Sequence, residues 1–372
     1  MLGRIGNRQP AGERQDLDRP LPLRNLLEDA EPMRMAQGLG DTREFREQGL
    51  LWSGCRGPTV PSVYHSINQL NNLGLIKAPI HDAPMTQWLA EHELGVRGGA
   101  FIAVLLVMAL WEVLAPRRAL TASKPVRWAN NLALVALDTA ILRVLFPAGA
   151  IGVAAFTSAR DWGVLSLVDL PAWAEGLLAF VALDLTIWLQ HVMLHAVPAL
   201  WRLHRVHHAD PDYDLTTGSR FHPLEIVLSM LIKFAAIIVI GPSVLAVVVF
   251  EVALNATAMF NHGNVRLPLA LDRMLRLFVV TPDMHRVHHS VEDDEANSNF
   301  GFNLPWWDFL FGTWRAQPRG GHIGMRIGIR DYTQPRHVSW LPGMLLLPFK
   351  GRIDRYAINR RQWTTQESPH DQ

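Results

Sequence analysis

The chain has 372 residues, of which 49% are hydrophobic and 19% charged, and its formal net charge is +1. A charge balance this even, without a basic stripe for phosphates, excludes a typical nucleic-acid-binding surface, so no nucleic-acid partner is expected. The single cysteine, Cys55, excludes an internal disulfide and a cysteine-rich metal site.

The first 84 residues differ from the rest of the chain. They are rich in Arg, Asp, Glu, Gly and Pro and show no sustained apolar periodicity. Such a stretch buries too little surface to offset its ordering entropy, and it lacks the apolar core and cleavage site of a secretory signal. Met85 precedes a sequence typical of the start of a membrane protein. We therefore expect residues 1–84 to be a disordered extension or to follow from a start codon assigned too far upstream, with a membrane domain at 85–320.

Long apolar stretches follow, and they predict four to five membrane spans. They lie at residues 98–115, 128–156, 172–195 and 224–260. The second stretch contains Asp138, Arg143 and Pro147, which predict a break or kink. Gly241-Pro242 interrupts the fourth and predicts a tight hairpin of two helices. The fold class expected is an all-α integral membrane helical bundle in a lipid bilayer.

The distribution of basic residues predicts the orientation of the bundle. The loop after the second span holds only Arg160 beside Asp161, whereas the loop after the first is strongly basic. Its cations are Arg117, Arg118, Lys124 and Arg127. The positive-inside rule then places the first loop in the cytoplasm. The same orientation brings every clustered histidine to the cytoplasmic face, in a helical cap, and leaves residues 321–372 as a cytoplasmic tail.

Three histidine boxes carry the chemistry. They are His191-Val-Met-Leu-His195, His204-Arg-Val-His207-His208 and His285-Arg-Val-His288-His289. Residues three and four apart lie on one face of a helix, so the imidazoles of each box can converge. One such pair alone is often two ordinary surface or core histidines. Three boxes in one chain predict a shared metal centre at the ends of the spans.

Four further polar residues lie close to the boxes. His222 precedes the predicted hairpin and His262 follows it. Each either completes the ligand set, donates a hydrogen bond to a metal ligand or caps a helix end. Asp184 lies seven residues before the first box, inside a span, and either orients an imidazole or makes an interhelical contact. Asp283 lies two residues before the third box and either orients an imidazole of that box or caps the helix that carries it.

The number of imidazoles exceeds what one metal ion can use, so two metal ions are expected. Neutral imidazole suits iron, copper, zinc and nickel. The absence of cysteine from the boxes disfavours structural zinc and iron–sulfur clusters. Oxidation of an unactivated C–H bond needs chemistry that no side chain supplies, and a pair of irons can share the electrons that dioxygen takes up.

Ordered motifs extend from residue 127 to residue 315. They are DLTIWLQHVMLH at 184–195, PALWRLHRVHH at 198–208, RFHPLE at 220–225, NH at 261–262, TPDMHRVHHS at 281–290, NFG at 299–301 and WDFLFGTW at 307–314. This arrangement resembles the fatty acid hydroxylase / sterol desaturase superfamily of membrane di-iron enzymes. The resemblance implies ligand roles for all the box histidines, for His262 and for His222, with Asn299 supporting them. Two positions depart from the family pattern, Val192 where Arg is frequent and Phe300 where Tyr is frequent.

The resemblance also implies two Fe ions, dioxygen as co-substrate and a lipid-like substrate such as a sterol, fatty acyl chain, ether lipid or carotenoid. Hydroxylation is the first expectation and desaturation the second. No flavin or ferredoxin signature is present, so the electrons must come from a separate donor, a reductase with a ferredoxin or cytochrome. The alternatives are a zinc-dependent membrane hydrolase and a non-enzymatic membrane metal-binding protein. The aromatic segment 306–314 either anchors at the membrane interface or closes over the site.

Overall fold

The structure is a computed structural model that describes residues 84–351, with only the backbone described at residues 84–87, 89 and 90. The predicted extension at 1–84, apart from its last residue, therefore lies outside the described residues, and so does the chain beyond residue 351. Between residues 84 and 351 the chain forms helices and three isolated β-bridges, without a strand. The predicted all-α class is confirmed.

Apolar helices form the membrane bundle. They are α1 (Pro84–Leu114), α2 (Lys124–Leu145), α3 (Gly149–Ser158), α4 (Ala172–Ala196), α6 (Pro223–Ile240) and α7 (Val244–Asn261). By length and composition, five segments of the described chain are able to cross a membrane, and α2 with α3 makes one of them, 35 residues long. The protein is thus a multi-pass membrane protein, as its composition predicts.

The break in the second span lies at the predicted position. Helix α2 ends at Leu145 and α3 begins at Gly149, with Pro147 between them. Proline cannot donate a backbone hydrogen bond and its ring clashes with the preceding turn, so an uninterrupted helix is not available here. The ten-residue α3 then packs its small residues into the core of the bundle.

The tight hairpin between α6 and α7 is also confirmed. Gly241 closes α6 in the left-handed conformation, with φ +72°. A Cβ atom at this position would lie 2.3 Å from the carbonyl oxygen of Trp162, so only glycine fits. Ser243 then caps α7 by accepting a hydrogen bond from the backbone N–H of Ala246.

One end of the bundle gathers every box histidine. Helices α1, α4 and α7 end there, and α2 and α6 begin there. The backbone N–H of Arg117, just after α1, donates to the carbonyl of Asn264, just after α7, over 3.0 Å. At the start of α2, Arg127 pairs with Asp210, which follows the second box. We call this end of the bundle the histidine end.

Short helices cap the histidine end. They are α5 (Pro198–His208), α8 (Leu269–Leu275), α9 (Pro282–His288), α10 (Asp293–Ala296), α11 (Trp306–Leu310), α12 (Gly321–Gly324), α13 (Pro335–Val338) and α14 (Leu341–Leu346). Within residues 84–351, three 3-10 turns join the helices, at Val164–Leu167, Thr217–Ser219 and Leu347–Phe349. Trp201 of α5, Met344 of α14 and Leu347 share one buried apolar cluster. The described part of the predicted tail therefore packs into the cap.

Candidate metal centre

Nine buried histidines form two adjacent groups at the histidine end. The first group is His191, His195, His204, His208 and His288, and the second is His207, His262, His285 and His289. Within each group the ring nitrogens that face inward all lie within 4.8 Å of one another. Nine of the ten histidines singled out from the sequence are thus brought together.

The two HxxHH boxes each contribute to both groups. In the second box, His204 and His208 join the first group and His207 joins the second. The third box does the reverse, and only His288 enters the first group. At 3.6 residues per turn, positions i and i+4 differ by about 40° around the helix, whereas i+3 lies about 60° to the other side. The sequence predicted that each box presents its histidines on a single face of its helix. In the structure each HxxHH box presents them on two neighbouring faces, one toward each group.

The nitrogen separations within the groups suit a shared metal ion. The Nε2–Nε2 distances are 3.1 Å for His191–His204, 3.1 Å for His195–His208, 3.2 Å for His262–His207 and 3.1 Å for His262–His289. Two nitrogens bound to one metal at about 2.1 Å, at right angles, lie about 3.0 Å apart. Without a metal ion, two neutral imidazoles at this distance need the N–H of one ring to donate a hydrogen bond to the lone pair of the other. The observed packing therefore fits metal ligation.

The ring of His288 gives a second indication. Its Nδ1 donates to the carbonyl of Ser298 over 2.8 Å, which leaves Nε2 with a lone pair. That Nε2 atom is buried and has no hydrogen-bond partner among the described residues. A buried polar atom left without a partner costs about 1–3 kcal/mol, so the atom is suited to a metal ion. The donor set of both groups, nitrogen alone, fits iron, copper, zinc or nickel.

Burial keeps the cap imidazoles neutral. It lowers the pKa of His204 and of His262 to about 3, and it lowers the pKa of His207 and of His289 well below the usual 6.5. Neighbouring imidazoles of the groups lower several of these pKa values further. Neutral rings keep a lone pair available near pH 7, which is the form that binds metals.

Contacts at Nδ1 fix the orientation of several rings. His191 donates to the carbonyl of Phe300 and His262 to that of Ala258, each over 2.8 Å. His204 contacts Oε1 of Glu225 at 2.7 Å. Such contacts hold a ligand ring in one tautomer and raise its basicity. Glu225 was not singled out from the sequence, although an acid at the start of an apolar helix, three residues after a histidine, was an available signal.

Asp308 holds the backbone segment that orients His191. Its carboxylate accepts from the N–H of Phe300 at 2.9 Å and of Gly301 at 2.7 Å, and from the indole of Trp188 at 3.1 Å. The 306–314 segment therefore supports the site through Asp308. Only the carbonyl of Phe300 bonds the imidazole, so phenylalanine instead of tyrosine leaves this contact intact.

Two other predicted supporting residues, Asp184 and Asp283, bond groups away from the imidazoles. Asp184 accepts from Asn303 Nδ2 at 2.9 Å and from the indole of Trp307 at 2.8 Å, so it fixes the loop before α11. The carboxylate of Asp283 faces Arg117, at 3.0 Å, and Arg286. Neither is seen to bond a box histidine. Asn299 has a left-handed backbone, and its Nδ2 donates to the carbonyls of Met284 and Arg315, each over 2.9 Å.

His222 lies in neither group. Its Nδ1 accepts a hydrogen bond from the N–H of Leu224 over 3.2 Å, and its Nε2 lies 3.2 Å from the carbonyl of Leu345. Both ring nitrogens are thereby used, in the helix-capping role that the sequence had left as the alternative to ligation.

A buried ionic network that the sequence analysis missed lies beside the second box. Arg127 bonds Asp210 and Asp214, each at 2.6 Å, and all three side chains are fully buried. Burial opposes the ionisation of Asp210, but Arg127 and Arg220 outweigh it and lower its pKa to about 2. The network ties α2 to the loop after α5 and so fixes the position of the second box.

A cavity of about 260 Å³ extends from the first histidine group into the membrane bundle. His191 and His204 of the first histidine group are among the residues that line it. Phe101, Ile187 and Leu254 are among the apolar side chains along its walls. The apolar part of its lining suits a hydrocarbon chain.

Part of the chain is similar to known proteins. Residues 176–313 match the family model of fatty acid hydroxylase. The human (Homo sapiens) alkylglycerol monooxygenase is 31% identical over 144 residues, which cover 37% of this chain and 30% of that protein. Ornithine lipid hydroxylase OlsE of Rhizobium tropici is 29% identical over 150 residues, covering 40% of this chain and 44% of that protein.

The similarity is confined to part of each relative. Alkylglycerol monooxygenase of Xenopus tropicalis is 29% identical over 160 residues, which cover 41% of this chain and 33% of that protein. The chain thus spans less than half the length of the curated relatives it matches. No solved structure matches the chain significantly.

Proposed function

We propose that this chain is a member of the fatty acid hydroxylase superfamily and that it is a membrane-bound di-iron oxygenase that hydroxylates a lipid-like substrate. The observation that carries the proposal is the gathering of nine buried imidazoles into two adjacent groups. Five nitrogen donors in one group and four in the other suffice for two metal ions. The relatives named above are, by their names, a monooxygenase and a hydroxylase, which favours hydroxylation over desaturation.

The proposed reaction uses electrons from outside the chain. One atom of dioxygen enters a C–H bond of the substrate, and the other leaves as water after taking up two electrons and two protons. The two irons, when bound, supply the redox chemistry that no side chain provides. We assign the ligand roles to the nine grouped histidines and exclude His222, whose ring nitrogens are engaged elsewhere.

The chain itself contributes orientation and the exclusion of water. Glu225 and the carbonyl of Phe300 hold His204 and His191, and all the grouped histidines are buried. The cavity beside those two rings receives the hydrocarbon part of the substrate. A dry site of fixed polarity prevents release of partly reduced oxygen to solvent.

We propose further that the histidine end faces the cytoplasm, where a reductase with a ferredoxin or cytochrome donates the electrons. The basic residues of the loop between α1 and α2, Arg117, Arg118 and Lys124, support this orientation. The positive-inside rule counts these residues without regard to partners, and three of the four basic residues are paired. Arg117 pairs with Asp283, Lys124 with Glu112, and Arg127 with Asp210 and Asp214.

The test combines metal analysis with dioxygen consumption in the presence of a reductant. We expect about two irons per chain and oxygen uptake that depends on a lipid, and we expect His288→Ala to lose both iron and uptake. The control is His92→Ala, because His92 is exposed and stacks on Trp88 away from the site. Zinc in place of iron, with activity that needs no oxygen, would show a hydrolase instead.

A further inference from the structure

Five charged side chains form one ionic network inside the membrane bundle, away from the histidine end. Lys233 Nζ lies 2.7 Å from Glu251 Oε1, and Arg97 lies 3.4 Å from Glu251 Oε2. Arg97 also pairs with Glu93, and Arg143 lies 3.0 Å from that same carboxylate. Three cations therefore share two carboxylates, which leaves one positive charge in excess.

Arg97 is the residue that carries the excess. Without it, Lys233–Glu251 and Arg143–Glu93 would remain as two neutral pairs. Its Nε atom is buried and has no hydrogen-bond partner among the described residues. Charged groups within a membrane span are costly and point to a function, and two pairs alone would suffice to join the helices.

The cavity connects this network with the first histidine group. The cavity lining includes Arg97, Lys233 and Glu251 of the network as well as His191 and His204 of the first histidine group. Asp138 also lines it, but that carboxylate forms no ion pair within residues 84–351, so it does not partner the excess cation.

The helix geometry gives the length of the connection. Glu225, which contacts His204, and Lys233 are both on α6, eight residues apart. At 1.5 Å per residue they lie about 12 Å apart along the helix. An extended chain advances about 3.5 Å for every three bonds, so about ten bonds span this length.

We propose that Arg97, together with Lys233, binds an oxygen-bearing polar group of the substrate, a carboxylate or a hydroxyl. The cavity then presents a carbon about ten bonds away to the histidine groups. The second half of this inference rests on the proposed oxygenase function, whereas the first half, the binding of the polar group, does not.

The test measures binding to the purified full-length protein by scintillation proximity, with radiolabelled hexadecanoate, hexadecan-1-ol and hexadecane as probes. We expect hexadecanoate or hexadecan-1-ol to bind about tenfold more tightly than hexadecane, as a charge-assisted hydrogen bond to a cation of the cavity lining provides. Whichever of the two is preferred identifies the polar group. Arg97→Met should abolish the preference and leave hexadecane binding unchanged, while Arg97→Lys should retain it.

Arg160→Met is the matched control, because Arg160 lies on the ring of Phe156, outside the cavity lining. Equal binding of the three probes by the wild-type protein, or an unchanged preference in Arg97→Met, would overturn the proposal.

Product analysis distinguishes the binding of the polar group from the oxidation of the substrate. With active enzyme, the new hydroxyl of oxidised hexadecanoate should lie about ten bonds from the carboxylate, and in Arg97→Met its position should scatter. A binding preference without any oxidation would refute the oxygenase function and leave the polar-group site standing.

Discussion

Removal of the Glu225 carboxylate tests how the site positions its ligands. Glu225 and His204 are each 2% exposed, and Oε1 lies 2.7 Å from Nδ1 of the ring. In Glu225→Ala the Nδ1–H loses its acceptor in a buried position, which costs about 1–3 kcal/mol. Since 1.4 kcal/mol corresponds to a factor of ten, we expect iron affinity or turnover to fall about 10- to 100-fold, in line with other outer contacts of metal-binding histidines.

A graded series makes this prediction sharper. Glu225→Gln keeps an oxygen that accepts from Nδ1–H, so its defect should be smaller than that of Glu225→Ala. The control is Glu292→Gln, whose carboxylate is exposed and pairs with Arg330 at the surface. Iron affinity would be measured by competition with a chelator of known strength, and turnover by dioxygen uptake. If Glu225→Ala binds iron as tightly as the wild type and turns over equally fast, the reasoning is refuted.

Three further predictions concern the surroundings of the site. Asp308→Ala should release the Phe300 carbonyl from His191 and lower both iron content and thermal stability, since several buried donors lose their acceptor. His222→Ala should keep full iron content and lose only about 0.5–2 kcal/mol of stability, as for loss of a helix cap; loss of iron would return His222 to the ligand set. The ionised Asp210 carboxylate should stabilise the fold fully above pH 3.8, the ordinary pKa of aspartate, and this stabilisation should be lost as the pH falls toward 2. In an acid titration followed by circular dichroism, Asp210→Asn should lack this loss of stability between pH 3.8 and 2.

Locally encoded features were predictable from the sequence. The break near Pro147 follows from the missing N–H of proline, and the hairpin follows from Gly241 beside Pro242. Both depend on residues adjacent in the chain. The histidine boxes belong to the same class, since spacing alone brings their rings to one side of a helix.

Features that depend on tertiary packing were not predictable in the same way. The spacing separates His207 from His204 and His208 on the helix, but it could not indicate which histidines of the other elements complete each group, because this depends on where α7 and α9 lie. Asp184 shares a helix with the first box, yet its carboxylate bonds Trp307 and Asn303, more than a hundred residues later. Helical spacing alone did not reveal these partners.

Charge counting met a similar limit. Arg127 contributed to the predicted orientation as a loop cation, but the structure pairs it with Asp210 and Asp214 in a fully buried network. The positive-inside rule counts residues without regard to their partners. The remaining basic residues of that loop still favour the same orientation, which labelling of an introduced cysteine from either side of the membrane would test.

The most direct measurement is anomalous X-ray scattering from crystals of the purified protein, recorded on both sides of the iron absorption edge. Two difference peaks are predicted, one among His191, His195, His204, His208 and His288, and one among His207, His262, His285 and His289. A single peak, or peaks that appear only at the zinc edge, would contradict the di-iron centre.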